Sequence, residues 1–165
     1  MPFKFPDEDE PLLQELLKAR VLSHEQWEGF RKPETHSLLD VVMNHGEEVD
    51  GAAWCEWLVA GHGCTTMMEL PSEPESILFN RLPGSVCVAL IDAKAFPLIV
   101  RHEVLYVAVG RPEIREAWDL ARRALDCADV LPLACRPTTL ATLETDFKQR
   151  VAPALRKLNL YQTNR

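Results

Sequence analysis

Residues 96–110 read FPLIVR-HE-VLYVAVG, two runs rich in β-branched and aromatic side chains with two residues between them. A two-residue separation between such runs predicts a β-hairpin, and a hairpin fixes the centre of a small sheet. Beyond Gly110-Arg-Pro112, the stretch EIREAWDLARRALDC places Ile114, Trp118, Ala121 and Leu125 at helical spacing, and the strand-like run DVLPLACR follows. A closing helix starts at Thr138 or Thr139, and upstream the pattern predicts short helices over about 74–81 and 84–94. The order helix, helix, strand, strand, helix, strand, helix gives an α+β fold, an α/β sandwich whose helices cover a small sheet.

The first half has a different periodicity. Leu12, Leu13, Leu16 and Leu17 form one helical stripe behind Pro11, and Ser23-His-Glu-Gln26 has the spacing of a capping box that opens a second helix carrying Trp27 and Phe30. Leu38, Leu39, Val42 and Met43 then predict a third helix that stops near Gly46, and Asp50 is placed to cap a fourth bearing Trp54, Trp57 and Leu58. The 26-residue offset between Leu16–Leu17 and Val42–Met43 suggests two helix–turn–helix units related by duplication. The expected organisation is therefore a helical module over 1–64, a connector over 65–73 with an extended piece at Met67–Leu70, and an α/β module over 74–165. The tail after Pro153 reads as the start of a linker or as a terminus.

Charge divides the chain at the same place. Residues 1–75 hold 5 Lys+Arg against 16 Asp+Glu, a net −11, whereas residues 76–165 hold 13 against 9, a net +4. An acidic surface disfavours nonspecific binding to phosphate backbones, so nucleic acid is not an expected partner. The start, MPFKFPDEDEP, carries acid where an export signal carries base, and the apolar runs are far short of the roughly 20 residues of a spanning helix. Five cysteines, an odd number at irregular spacing and partly inside apolar runs, suit buried thiols in a reducing compartment. A cytoplasmic protein without membrane insertion is expected, peripheral to the inner membrane at most through a protein partner.

These elements, with their residues, resemble the N-terminal domain of the type II secretion and type IV pilus assembly ATPases, the general secretory pathway protein E family. The resemblance covers about residues 10–147. It rests on the sequence LP at Leu82–Pro83, a helix, FPL at Phe96–Leu98, the hairpin, VAVGRP at Val107–Pro112, an amphipathic helix, VLPLACR and a closing TTL helix. It implies a non-catalytic domain that docks on another protein of a secretion, pilus or envelope-assembly platform. No G-x-x-x-x-G-K-[ST] loop accompanies it, so the motor of those ATPases is not in this chain, and no catalytic residue or cofactor is expected.

The helical half is similar to the tandem motif that binds cyclic di-GMP in some members of that family, which makes a second-messenger sensor the alternative reading. The residues that would carry the ligand are Leu12, Leu16, Leu38, Val42 and Gly46. Pro11 and Ser37 stand in place of the phosphate-gripping arginines, Leu13 and Leu39 in place of the first glycine of each copy, and Arg20 in place of a later one. If the ligand is bound, Leu12, Leu16, Leu38 and Val42 should be partly exposed in the free protein.

Other chemistry finds little support. His62-Gly63-Cys64 and Cys55 lack paired metal-ligand spacing, so no metal is expected, and no nucleophile has a readable base. Arg115, Arg122 and Arg123 lie along the amphipathic helix after Pro112 and are the candidates for contacting an acidic partner, although a solvated helix face has the same composition.

Overall fold

The structure is a computed structural model and describes residues 9–30, 37–66, 76–112 and 114–163. Helix α1 (Asp9–Lys18) buries Leu12, Leu13 and Leu16, and α2 (His24–Phe30) buries Trp27. The capping box forms as its spacing predicts: the Gln26 N–H donates to Ser23 Oγ (3.1 Å) and the Ser23 N–H to Gln26 Oε1 (2.9 Å). The second unit comprises α3 (Leu38–Asn44) and α4 (Gly51–His62), the latter capped by Asp50, which accepts from the Ala53 N–H at 3.0 Å. The units are tied by Asp50 N–H to Val21 O (2.9 Å) and by Gln26 Nε2 to Glu48 O (2.9 Å).

A strand β1 (Thr65–Thr66) follows α4 directly, then come α5 (Ser76–Phe79) and α6 (Gly84–Asp92), the hairpin of β2 (Ala95–Arg101) and β3 (Val104–Val109), α7 (Glu116–Ala124), β4 (Asp129–Ala134), α8 (Pro137–Arg150) and α9 (Ala152–Thr163). The sheet order is β1-β4-β3-β2, with β2–β3 antiparallel and the other two pairings parallel. Parallel pairing of β3 with β4 requires the crossover that α7 supplies. Val107, Ala108 and Val109 are all fully buried, and consecutive strand side chains point to opposite faces, so both faces of the sheet centre are covered.

Two elements depart from the sequence expectations. Thr65–Thr66, within the expected connector, is a strand at one sheet edge, and the extended piece expected at Met67–Leu70 lies outside the described residues. The tail read as a linker or terminus is helix α9, which packs against the start of α6. Gly84 makes that contact possible: a Cβ there would come within 2.9 Å of the Ala154 carbonyl oxygen and 3.2 Å of Leu158 Cβ.

The hairpin turn is built from unusual residues. His102 and Glu103 have φ of 51° and 65°, the paired positive angles of a type I′ turn in which Asn-Gly is the usual choice. The turn is held from outside, because the Glu103 carbonyl accepts from the N–H groups of Ala128 (2.8 Å) and Asp129 (3.3 Å) at the entrance to β4. At the sheet edges, β2 carries Pro97 and a register shift between Pro97 and Ile99, while β4 runs past β1 with Pro132 lacking an N–H and the Val130 N–H taken by Asp129 Oδ1 (2.8 Å). Such features discourage pairing with a further strand.

The helical half and the α/β half share one buried core, and α3 packs on α8. At the junction stands Lys94, 9% exposed and at φ 51°, directly after α6. Its Nζ reaches Glu144 Oε2 of α8 (2.5 Å) and Asp40 Oδ1 of α3 (3.0 Å). Burial alone lowers the Lys94 pKa, but the hydrogen bonds and charges of Glu144 and Asp40 outweigh it, so the ammonium is held above the ordinary lysine range.

Two outcomes follow from these contacts. Lys94→Met leaves two carboxylates facing each other and should lower the urea-unfolding free energy by about 3 kcal/mol at neutral pH, discounted from larger values because Asp40 is half-exposed. Because the folded pKa is the higher one, this contribution is complete below the ordinary lysine value and disappears as pH rises through the folded value, so wild type and variant should converge in strongly alkaline solution. Glu103→Gly relieves a left-handed non-glycine residue and should raise stability by about 1 kcal/mol, measured by the same unfolding experiment.

Candidate interaction surface

Helix α7 buries Ala117, Trp118 and Ala121 and turns Arg115, Glu116, Leu120 and Arg123 outward around it. Asp119 organises the charges. Its Oδ1 accepts from Arg122 Nε (3.0 Å) and Nη2 (2.8 Å), and its Oδ2 lies 2.8 Å from Arg123 Nη2. The Arg122 hydrogen bond, helped by the two guanidinium charges, keeps the Asp119 carboxyl below the usual carboxylate range. Arg122 also donates from Nη1 to the Cys127 carbonyl (3.1 Å), which secures the left-handed turn at Asp126 (φ 55°) that ends the helix.

The three arginines therefore differ in what they offer. Arg122 is spent on its own helix end, whereas Arg115, with its guanidinium 5.9 Å from the Trp118 ring centroid, and Arg123, with 68% of its side chain exposed, face solvent. Between them stands Leu120, 42% exposed, the largest apolar side chain so exposed among the described residues. Sequence reasoning passed over Leu120, although its position was readable: it falls outside the Ile114, Trp118, Ala121, Leu125 stripe and so on the polar side of the helix.

The residues proposed for cyclic di-GMP are placed otherwise. Leu12, Leu16, Leu38 and Val42 are 6%, 0%, 0% and 1% exposed, so the partial exposure expected of a base-sandwiching set is not found. Gly46 lets the backbone approach a protein element: its Cβ would come 3.0 Å from Thr138 Cγ2 and 3.1 Å from Thr138 N at the start of α8. Arg20, which stands where the motif has a later glycine, adopts φ 63° while Val21 N–H reaches Leu16 O (3.0 Å) and Arg20 N–H reaches Leu17 O (3.1 Å). That pair of bonds is a Schellman motif, in which glycine is the usual residue at the left-handed position for reasons of backbone geometry alone. The leucine and glycine pattern is thus accounted for by helix packing and helix ends.

Cysteine and histidine chemistry is similarly constrained. Burial raises the thiols of Cys55, Cys64, Cys87, Cys127 and Cys135, to about 11 for Cys64 and Cys87 and about 12 for Cys135, the reverse of what a reactive thiolate needs. His62 lies edge-on to Trp57 with Nε2 3.3 Å from Glu15 Oε1, and Trp57 Nε1 donates to the same oxygen at 3.3 Å, so Glu15 joins α1 to the end of α4. Among the described residues no group of three His, Cys, Asp or Glu side chains is positioned to hold a metal ion, and no helix is long and apolar enough to cross a membrane.

Neither any protein-family model nor any curated protein sequence matches this chain. A solved structure does: the N-terminal domain of XpsE superposes with a TM-score of 0.50 at 18% identity, over 91% of this chain and 98% of that one. The likeness is one of fold. It extends through both the helical half and the α/β half, as the coverage of the two chains requires.

With Leu12, Leu16, Leu38 and Val42 buried, these four side chains do not face a ligand. Calorimetric titration with cyclic di-GMP, with ATP and GTP as controls, should give no heat with any of the three.

Proposed function

We propose that this chain is a non-catalytic docking domain of a bacterial secretion, pilus or envelope-assembly system. The observation that carries the reading is the fold likeness to the N-terminal domain of XpsE, a type II secretion ATPase, over nearly the whole of both chains. It agrees with the ordered motifs from Leu82–Pro83 to the closing TTL helix, which resemble the same domain of the same ATPase family. The sequence holds no G-x-x-x-x-G-K-[ST] motif, and in this reading the domain contributes recognition to a machine whose nucleotide chemistry is carried elsewhere.

The partner is a protein component of the platform at the inner membrane, and the domain sits in the cytoplasm against it. Arg115 and Arg123, with Leu120 between them, form the contacting face on α7; Arg122 supports that face by holding Asp119 and the helix end. An apolar centre within a charged rim is the arrangement that gives protein interfaces both affinity and register.

The test is binding of the purified domain, by biolayer interferometry, to the cytoplasmic segment of the inner-membrane platform component from the same organism. A saturable complex is expected, with R115E/R123E weakening it at least about tenfold and the loss growing at low salt. No binding to any platform segment, or binding indifferent to the charge reversal, would sink the assignment or its surface respectively.

A further inference from the structure

Residues 147–165 hold five bases, Lys148, Arg150, Arg156, Lys157 and Arg165, and no Asp or Glu, a one-signed run in a chain of net −7. Four of these bases lie around the corner where α8 passes into α9. Lys148 and Arg150 lean on acids of their own helix, Lys148 Nζ lying 3.4 Å from Glu144 Oε1 and Arg150 Nε 2.9 Å from Asp146 Oδ2. Arg156 and Lys157 are exposed, and neither has an ion-pair partner among the described residues. Beside them, between α5, the start of α6 and α9, lies a pocket of about 560 Å³ lined by Phe79, Leu82, Val151 and Leu158 together with Arg150 and Lys157. None of its lining side chains is a carboxylate.

We infer that this corner rests on an anionic phospholipid surface, with one headgroup phosphate seated in the pocket beside Arg150 and Lys157. Two observations favour lipid over an acidic protein. A protein interface draws its affinity from apolar or aromatic anchors, and the exposed large apolar side chains among the described residues, Val59, Val88 and Leu120, all lie outside α8 and α9. A headgroup layer needs no such anchor, because it attracts each unopposed base near it by charge alone. The absence of acids is the second observation: on α7 Glu116 and Asp119 alternate with the arginines and repel an anionic bilayer, whereas no acid follows Asp146.

The acidic half does not cancel this attraction, because α8 holds the two apart. Gly46 packs at Thr138 near the start of α8, while Arg150 closes that helix and α9 begins at Ala152. At 1.5 Å of rise per residue the separation is about 20 Å, beyond the roughly 8 Å screening length of physiological salt. The net −11 of residues 1–75 turns away from a charged bilayer and so orients the domain on it. Since α9 spends Ala154 and Leu158 on Gly84 of α6, the contact is adsorption at the headgroups and not insertion. It does not depend on the docking reading, because it is measured on the purified chain and vesicles alone.

Co-sedimentation with phosphatidylglycerol vesicles tests it, with phosphatidylcholine vesicles as the neutral arm and with glycerol phosphate and polyglutamate titrated separately by calorimetry. Saturable binding to phosphatidylglycerol is expected, absent on phosphatidylcholine and lost in about 1 M salt. R156E/K157E should weaken it at least about tenfold, both positions being exposed. Ser85→Glu brings a carboxylate to the pocket and should weaken binding too, while the melting temperature holds or rises because an acid suits the first turn of α6. R115E/R123E should change vesicle binding by no more than about twofold, since α7 lies outside the contact. No binding to phosphatidylglycerol, binding unmoved by R156E/K157E or by Ser85→Glu, or binding of polyglutamate or free glycerol phosphate in place of vesicles would each overturn the inference. A platform complex that forms without vesicles would leave the docking reading intact in all of these cases.

Discussion

The ammonium of Lys94 is where the two halves of this chain become one object. An isolated buried cation is expensive, and here the cost is offset by two carboxylates from different helices, Asp40 of α3 and Glu144 of α8. The backbone conspires in the placement, since Lys94 takes a left-handed conformation directly after α6 and gives its carbonyl to the Gly110 N–H at 2.7 Å. Around this point α3 packs on α8, and the loop between α3 and α4 brings Gly46 against Thr138. The Lys94–Glu144 pair lies within the α/β half, so the arm to Asp40 is the one that requires the helical half to sit in one orientation on the sheet half.

Much of this was legible in the sequence, and for identifiable reasons. The Ser23–Gln26 box and the Asp50 cap were read correctly because their hydrogen bonds are local and their spacing is fixed by the helix. The hairpin was legible from its two β-rich runs even though His102-Glu103 gives no turn signal of its own; the turn is imposed by the strands and by the β4 entrance. What escaped was set by long-range contact. Thr65–Thr66 is β-branched but too short a run to signal a strand by itself, and it pairs because β4 lies beside it, while α9 has weak amphipathic character but finds α6 through Gly84. Lys94 gave no signal at all, because a lysine between two apolar elements looks like any solvated side chain until its partners, 54 and 50 positions away in sequence, are brought to it.

The candidate site was half readable. The arginines on α7 were visible as a cluster, yet the sequence treats Arg122 and Arg123 alike; both reach Asp119, and only the bond of Arg122 to the Cys127 carbonyl separates a helix-ending arginine from an outward one. The nucleotide motif shows the converse. Leucines that sandwich a base and leucines that pack a helix pair have the same spacing, and a glycine that admits a ligand is indistinguishable from one that admits α8, until burial decides between them.

The edge of β4 has a wider meaning. Where β4 runs past β1, Pro132 lacks a donor and the Val130 N–H is already satisfied by Asp129, so this stretch offers fewer donors to an added strand. On the helix faces, by contrast, charge can be rewritten one residue at a time without disturbing a backbone ladder. A domain of this build can change its outer charge by surface substitution while its interior stays the same.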